Sequence, residues 1–232
     1  MTQRKIEITS PTFVDASQLP QHYNLDMLFP TVQPLALEIG CGVGDFIIQR
    51  ATQQPQTNFI AIDIYNKGCY KTCNRIDDSG LTNVRVMRME ARYLLSQFGC
   101  ADMLCAIYVN CPDPWPKKRH RARRLVNNTF LTQILYYLKP QGDLYFITDV
   151  EDYAQQVADS LAVAPGYINQ FPTAYTPQFN GYPNSKYMRR FLAQGLPIFF
   201  QHHRRLLGFC MEQSMLPATQ MGFRNRHTLE SK

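Results

Sequence analysis

Leu35-Ala36-Leu37-Glu38-Ile39-Gly40-Cys41-Gly42-Val43-Gly44 is the run from which the architecture can be read. Its first five residues form a near-continuous apolar segment of strand length, as expected of a strand buried on both faces. The segment runs directly into glycines at alternate positions, which let the backbone turn tightly and approach a ligand. Residues 46–52 then read as a helix. A strand, a glycine turn and a helix make the opening unit of an α/β domain.

The same alternation continues downstream. Residues 58–62 form a strand-like run ending at Asp63, followed by a helical segment over 65–79. Further strands are expected over 84–87, 103–109 and 144–147, with helices over 91–98 and 151–163. Asn127, Asn128 or Thr129 can cap a helix whose apolar residues Phe130, Ile134, Leu135 and Leu138 recur at helical spacing. Lys139-Pro140-Gln141-Gly142 stops it. Residues 164–184 are turn-rich, and residues 191–201 are expected to supply the last strand or strands. The pattern predicts a mostly parallel, doubly wound sheet. The expected division is an irregular N-terminal arm over 1–33, one domain over 34–208 and a C-terminal tail over 209–232, with 222–232 loose.

The 232 residues are 45% hydrophobic and 12% aromatic, enough for a substantial core. No apolar run approaches the roughly 18 residues of a membrane span. The polar N-terminus lacks the apolar centre of a signal peptide, so the expected location is cytoplasmic. Seven cysteines, with no Cys-x-x-Cys pair, predict reduced and mostly buried thiols and no metal site.

A second stretch carries the charge. Residues 112–124 read Pro-Asp-Pro-Trp-Pro-Lys-Lys-Arg-His-Arg-Ala-Arg-Arg. Six of the eight residues from Lys117 to Arg124 are cationic, and the formal net charge of the whole chain is +6. Without that run the chain would be neutral. Pro112, Pro114 and Pro116 fix the backbone as a stiff loop. One carboxylate on a rigid loop, Asp113, followed by a dense cationic run, suits chemistry on a polyanion.

In open α/β sheets, ligands bind beyond the carboxyl ends of the strands, near the switch in strand order. Glu38, Asp63, Glu90, Asp113 and Asp149 all fall at such ends. Asp63 can accept hydrogen bonds from ribose hydroxyls. The glycine run is not a phosphate loop, because Gly-Lys-Ser/Thr is missing and Glu38 would repel phosphate. A cofactor with a nucleoside and a positive charge but no phosphate fits better, and S-adenosylmethionine is the common one.

Glu-Ile-Gly-Cys-Gly-Val-Gly, Ile-Asp-Ile, the Pro-Asp-Pro-Trp block with its basic run, and Thr-Asp resemble, in order and spacing, the bacterial tRNA (guanine-N7-)-methyltransferases. The resemblance covers residues 34–200 or so. It implies a Rossmann-like class I methyltransferase fold, S-adenosylmethionine as cofactor and tRNA as partner, with monomer and homodimer both open. By resemblance, Glu38, Gly40, Gly42, Gly44, Asp63, Glu90 and Asp113 would hold the cofactor, and Asp113 would also be catalytic. Lys117, Asp149, Ser185, Lys186 and Tyr187 would contact substrate, and Arg119, Arg121, Arg123 and Arg124 would touch RNA.

The C-terminal signature departs from the family. Its Thr-Lys-Phe-Glu reads Ser185-Lys186-Tyr187-Met188 here, and Phe191 stands where the family has glycine. Glu90 replaces the usual Asp. Met188 motivates a rival reading as a silent RNA-binding paralogue. A methyltransferase of the same fold with another substrate is a second rival, but it leaves the cationic run without a role. Lys186, Arg189 and Arg190 are candidates for a second jaw of the RNA site. His202-His203-Arg204-Arg205 is expected to extend the basic surface, and Trp115 either to stack on a base or to pack the loop.

Overall fold

The computed structural model describes residues 6–218. A central sheet of eight strands runs in the order β1-β4-β3-β2-β5-β6-β8-β7. The strands are β1 (Phe13–Val14), β2 (Leu35–Ile39), β3 (Asn58–Asp63), β4 (Val84–Arg88), β5 (Leu104–Asn110), β6 (Leu138–Thr148), β7 (Tyr167–Asn169) and β8 (Phe199–Arg205). From β1 to β6 every neighbouring pair is parallel; β8 pairs antiparallel with both β6 and β7. The helices are α1 (Asp45–Gln53), α2 (Asn66–Ser79), α3 (Ala91–Phe98), α4 (Asn128–Tyr137), α5 (Glu151–Val163) and α6 (Lys186–Ala193).

The two-residue period of the strands divides the core between the faces of the sheet. Leu37, Ile60 and Ile107 point to one side, where they pack with Leu94 of α3, Phe130 and Ile134 of α4, and Tyr153 of α5. Ala36, Ala61 and Tyr108 point to the other, with Phe46 of α1, Ile76 of α2 and Met188 of α6. Both faces are therefore covered, which is why the central strands read as unbroken apolar runs.

Three expectations are corrected. The N-terminal arm is not wholly irregular, since Phe13 and Val14 add a parallel edge strand against β4. The segment expected to begin the last strand is helical to Ala193, and the strand occupies Phe199–Arg205 instead. The four residues from His202 to Arg205 do not form an open basic surface, because alternate side chains of β8 turn inward. His203 and Arg205 are buried. Arg205 donates to Asp102 and to the Leu138 and Phe209 carbonyls, while His202 and Arg204 both meet Asp143.

All seven cysteines are free; Cys41, Cys69 and Cys73 are buried, while Cys100 and Cys210 are exposed. Among the described residues no group of His, Cys, Asp or Glu could hold a metal ion, and no helix is long and apolar enough to cross a membrane. The loose tail expected over 222–232 lies outside the described residues.

Candidate active site

Strand order reverses between β2 and β5, the position at which open α/β sheets bind ligands. Glu38 of β2, in register with Tyr108, and Asn110 at the end of β5 meet there. The loop after β2 turns through three glycines with left-handed backbones, Gly40 (φ 83°), Gly42 (φ 59°) and Gly44 (φ 84°). A Cβ on Gly40 or Gly42 would meet nothing within 4 Å, so backbone angle and not crowding selects glycine there. Against α2 the fit is tight: a Cβ on Gly68 would come within 2.5 Å of the Gly42 carbonyl oxygen.

Asp63, at the end of β3, holds this loop in place. Its carboxylate accepts from the backbone N–H of Gly42 and of Tyr65, each at 2.8 Å. Burial raises its pKa, and the two backbone bonds oppose the rise. Asp113 lies close enough to add to that rise through its charge.

Glu38 is only 1% exposed. Its Oε1 lies 3.5 Å from Asn110 Nδ2, at the outer limit of a hydrogen bond, and its Oε2 has no partner. Burial pushes its carboxyl up to about 8; the Asn110 contact opposes this, while the Asp63 and Asp45 charges add to it. A buried carboxylate oxygen without a partner is costly unless a ligand completes it. Glu38 also lines a cavity of about 260 Å³. Cavity, open glycine turn and unpartnered carboxylate suit a nucleoside ligand bearing positive charge.

Glu38, Gly40, Gly42, Ser185, Lys186 and Tyr187 line that cavity. Asn110, Phe46, Tyr65, Lys67 and Lys71 also line it and escaped the sequence reading. Asn110 could have been noticed as the first polar residue after a buried strand, and the two lysines as a four-residue repeat facing one way from α2. Gly44 serves as N-cap of α1 and lies against Thr72. Glu90, like Asp63 and Asp113, is not among the residues lining that cavity. It caps α3, accepting from the Arg92 and Tyr93 N–H groups at 2.9 and 3.2 Å, and pairs with the Arg92 guanidinium at 3.1 Å.

The Asp113 loop is held in a strained shape. Cys111 (φ 47°) and Trp115 (φ 43°) occupy the left-handed region on either side of it. Such a backbone costs a β-carbon residue roughly 1–2 kcal/mol, which surrounding contacts must offset. The Cys111 N–H donates to the Ile147 carbonyl at 2.8 Å. The Trp115 ring packs within the basic run, with the Arg123 guanidinium 5.0 Å above it and His120 edge-on at 5.9 Å.

Lys118–Arg123 winds as a 3-10 helix. Arg119 and Arg123 on it, and Lys117 just before it, are exposed. Arg124 is a correction, being fully buried. It donates to the Pro114 carbonyl at 2.8 Å, to Gln156 at 2.7 Å and to Asp152 at 2.7 Å, and lies over the Tyr153 ring. Its cation locks the Asp113 loop onto α5 instead of facing outward. Arg121 shares Asp152 at 2.7 Å. Asp149 follows β6 half-buried, with its pKa raised by desolvation.

Ser185 caps α6 through a reciprocal pair. Its Oγ accepts from the Met188 N–H at 3.3 Å, and its own N–H donates to the Met188 sulfur at 3.4 Å. Met188 is thus buried and fills the carboxylate's place in a capping box.

Comparison with known proteins gives the family and the fold. A family model described as "Putative methyltransferase" matches residues 32–201. A tRNA (guanine-N(7)-)-methyltransferase of Syntrophotalea carbinolica is 53% identical over 97% of each chain. The Geobacter metallireducens protein of the same name is 49% identical over 88% of this chain and 97% of its own. Among solved structures, the 16S rRNA methyltransferase KamB aligns with a TM-score of 0.57 at 13% identity, over 75% of this chain and 88% of its own. At that identity the likeness concerns the class I methyltransferase fold alone.

Proposed function

The chain belongs to the tRNA (guanine-N(7)-)-methyltransferase family, and we propose that it methylates N7 of a guanine in tRNA, in the cytoplasm, from a site spanning the ends of β2, β3 and β5. The observation that carries the site assignment is Glu38, buried with one carboxyl oxygen unpartnered, lining a cavity at the strand-order switch. We take residues 34–208 as the methyltransferase domain, flanked by an arm and a tail.

S-adenosylmethionine, when bound, supplies a methyl group on a positively charged sulfur. Glu38 offers that cation a carboxylate, Asp63 and the open glycine turn receive the nucleoside, and Lys67 and Lys71 close the side formed by α2. Guanine N7 has a free lone pair and no proton to lose, so the protein needs no strong general base. Its task is alignment, which can be worth roughly 7–11 kcal/mol. Asp113, fixed between two prolines, stabilises the positive charge that develops on the purine. Lys117, Arg119 and Arg123 take the phosphate backbone, in a contact weakened by salt. Asp149, Ser185, Lys186 and Tyr187 border the space left for the target nucleotide.

The test is incubation with unmodified tRNA and the cofactor, followed by nucleoside mass spectrometry. N7-methylguanosine appearing in proportion to enzyme is the expected result. Its absence, with RNA binding intact, would favour the silent paralogue; Met188 gives that reading its only specific motive.

A further inference from the structure

We propose that Tyr182 is a positioning residue for the cofactor site: its hydroxyl fixes the Asn110 amide so that the amide NH2, and not its oxygen, faces Glu38. The proposal rests on the cofactor assignment above. Tyr182 lies in the turn-rich segment between β7 and α6, well away in sequence from the strands that build the site. Its side chain is buried, and its hydroxyl donates to Asn110 Oδ1 at 2.8 Å. Asn110 Nδ2 then points to Glu38 Oε1 at 3.5 Å.

An ionised carboxylate only accepts, so it tolerates the NH2 side of an amide and repels the oxygen side. A buried amide can rotate to present either. By donating to Oδ1, the Tyr182 hydroxyl satisfies the amide oxygen in the orientation that turns the NH2 towards Glu38. The tyrosine is itself held by rings, with Phe46 at 5.2 Å and Phe179 stacked at 5.4 Å. The Arg50 guanidinium lies 5.1 Å from its ring centroid. The hydroxyl is therefore aimed by packing that the substitution Tyr182→Phe would leave in place.

The consequence is read in cofactor binding, not in turnover. Asp63 at the end of β3, Asp45 of α1 and Cys41 of the glycine loop face Glu38 with negative or neutral groups. Lys67 and Lys71 of α2 and Lys186 of α6 line the same cavity. Among these Asn110 supplies the hydrogen bond to the Glu38 carboxylate. With burial holding Glu38 up to about 8, a cationic ligand needs the carboxylate ionised. Affinity should therefore rise with pH and level off above that value. Releasing the amide removes the stabilising dipole, so the plateau is reached at higher pH.

The experiment is isothermal titration of S-adenosylmethionine into the full chain between pH 6 and 9.5, in buffers of different ionisation enthalpy. Wild type is expected to release up to one proton on binding near neutral pH. Tyr182→Phe should bind about 5- to 10-fold more weakly at pH 7, approach wild type at the alkaline end, and release more protons at pH 8. In a Glu38→Gln background, Tyr182→Phe should change nothing further. Should Tyr182→Phe fold poorly, Asn110→Asp serves in its place and should move the midpoint further upward. Parallel pH curves for wild type and variant would overturn the positioning role while leaving the cofactor assignment intact. No binding by wild type at any pH would overturn both.

Discussion

Arg189 Nη2 lies 2.5 Å from Asp45 Oδ1, so the first turn of α1 and the first turn of α6 are tied across the mouth of the cavity. The same guanidinium donates to the Asn184 carbonyl at 2.9 Å, and Arg75 of α2 reaches Asp45 at 3.3 Å and the Val43 carbonyl at 2.6 Å. One carboxylate thus gathers three helices around the glycine turn and fixes the Ser185–Tyr187 segment as its wall.

Arg189→Ala should loosen that wall. The guanidinium is about half exposed, so screening limits the pair to about 1 kcal/mol, or roughly fivefold in affinity. The expected outcome is a rise in cofactor Kd of up to about fivefold, with a melting temperature within about 2 °C of wild type. Parallel calorimetry and thermal melts check it. A large drop in melting temperature without a binding change would make the pair a stability element only.

Arg124 and Arg119, five positions apart in one basic run, should behave oppositely. Arg124→Ala empties a buried position and leaves Gln156 and the Pro114 carbonyl without their donor. A loss of about 2–4 kcal/mol is expected, read as a fall of roughly 5–15 °C in melting temperature. Arg119→Ala should leave the melt unchanged, weaken tRNA binding and lower the slope of log affinity against log salt by about one.

Stability of the cofactor-free chain should depend on pH through two buried groups of opposite sign. Glu38 titrates near 8 when folded, far above an exposed glutamate, so its contribution is complete at acid pH and is lost as pH rises towards 8. The loss is on the order of 5 kcal/mol. His203 is lowered to about 4 by burial, with the His202 charge adding. Its contribution is present above about 6.5 and is lost as pH falls to 4, on the order of 3 kcal/mol. Glu38→Gln should flatten the alkaline limb of a urea-denaturation pH profile and His203→Gln the acid limb. Profiles parallel to wild type would contradict the burial of these charges.

The sheet was legible in the sequence because β2, β3 and β5 are buried on both faces and their ends carry the acids. Strand β1 was not, since two residues show no period. Helix α6 was misread because its start is marked by Ser185 and a methionine sulfur instead of a carboxylate, while Phe191 and Leu192 resemble strand residues. The inward turn of His203, Arg205 and Arg124 could not be seen either. Their partners, Asp102, the Leu138 carbonyl, Asp152 and Gln156, stand tens of residues away, and composition alone made these cations look exposed. Glu90 falls at the end of a strand, as read, and its carboxylate also caps the next helix, a local contact that the strand pattern does not reveal.

The most direct measurement is transfer of labelled methyl groups from S-adenosylmethionine to unmodified tRNA, followed by chain cleavage at N7-methylguanine, for wild type and Asp113→Asn. The account predicts label and a single cut at one guanine with wild type, and label reduced by at least about tenfold in Asp113→Asn at saturating cofactor. Label without a cut, or no label from a wild-type chain that binds both cofactor and tRNA, would contradict it.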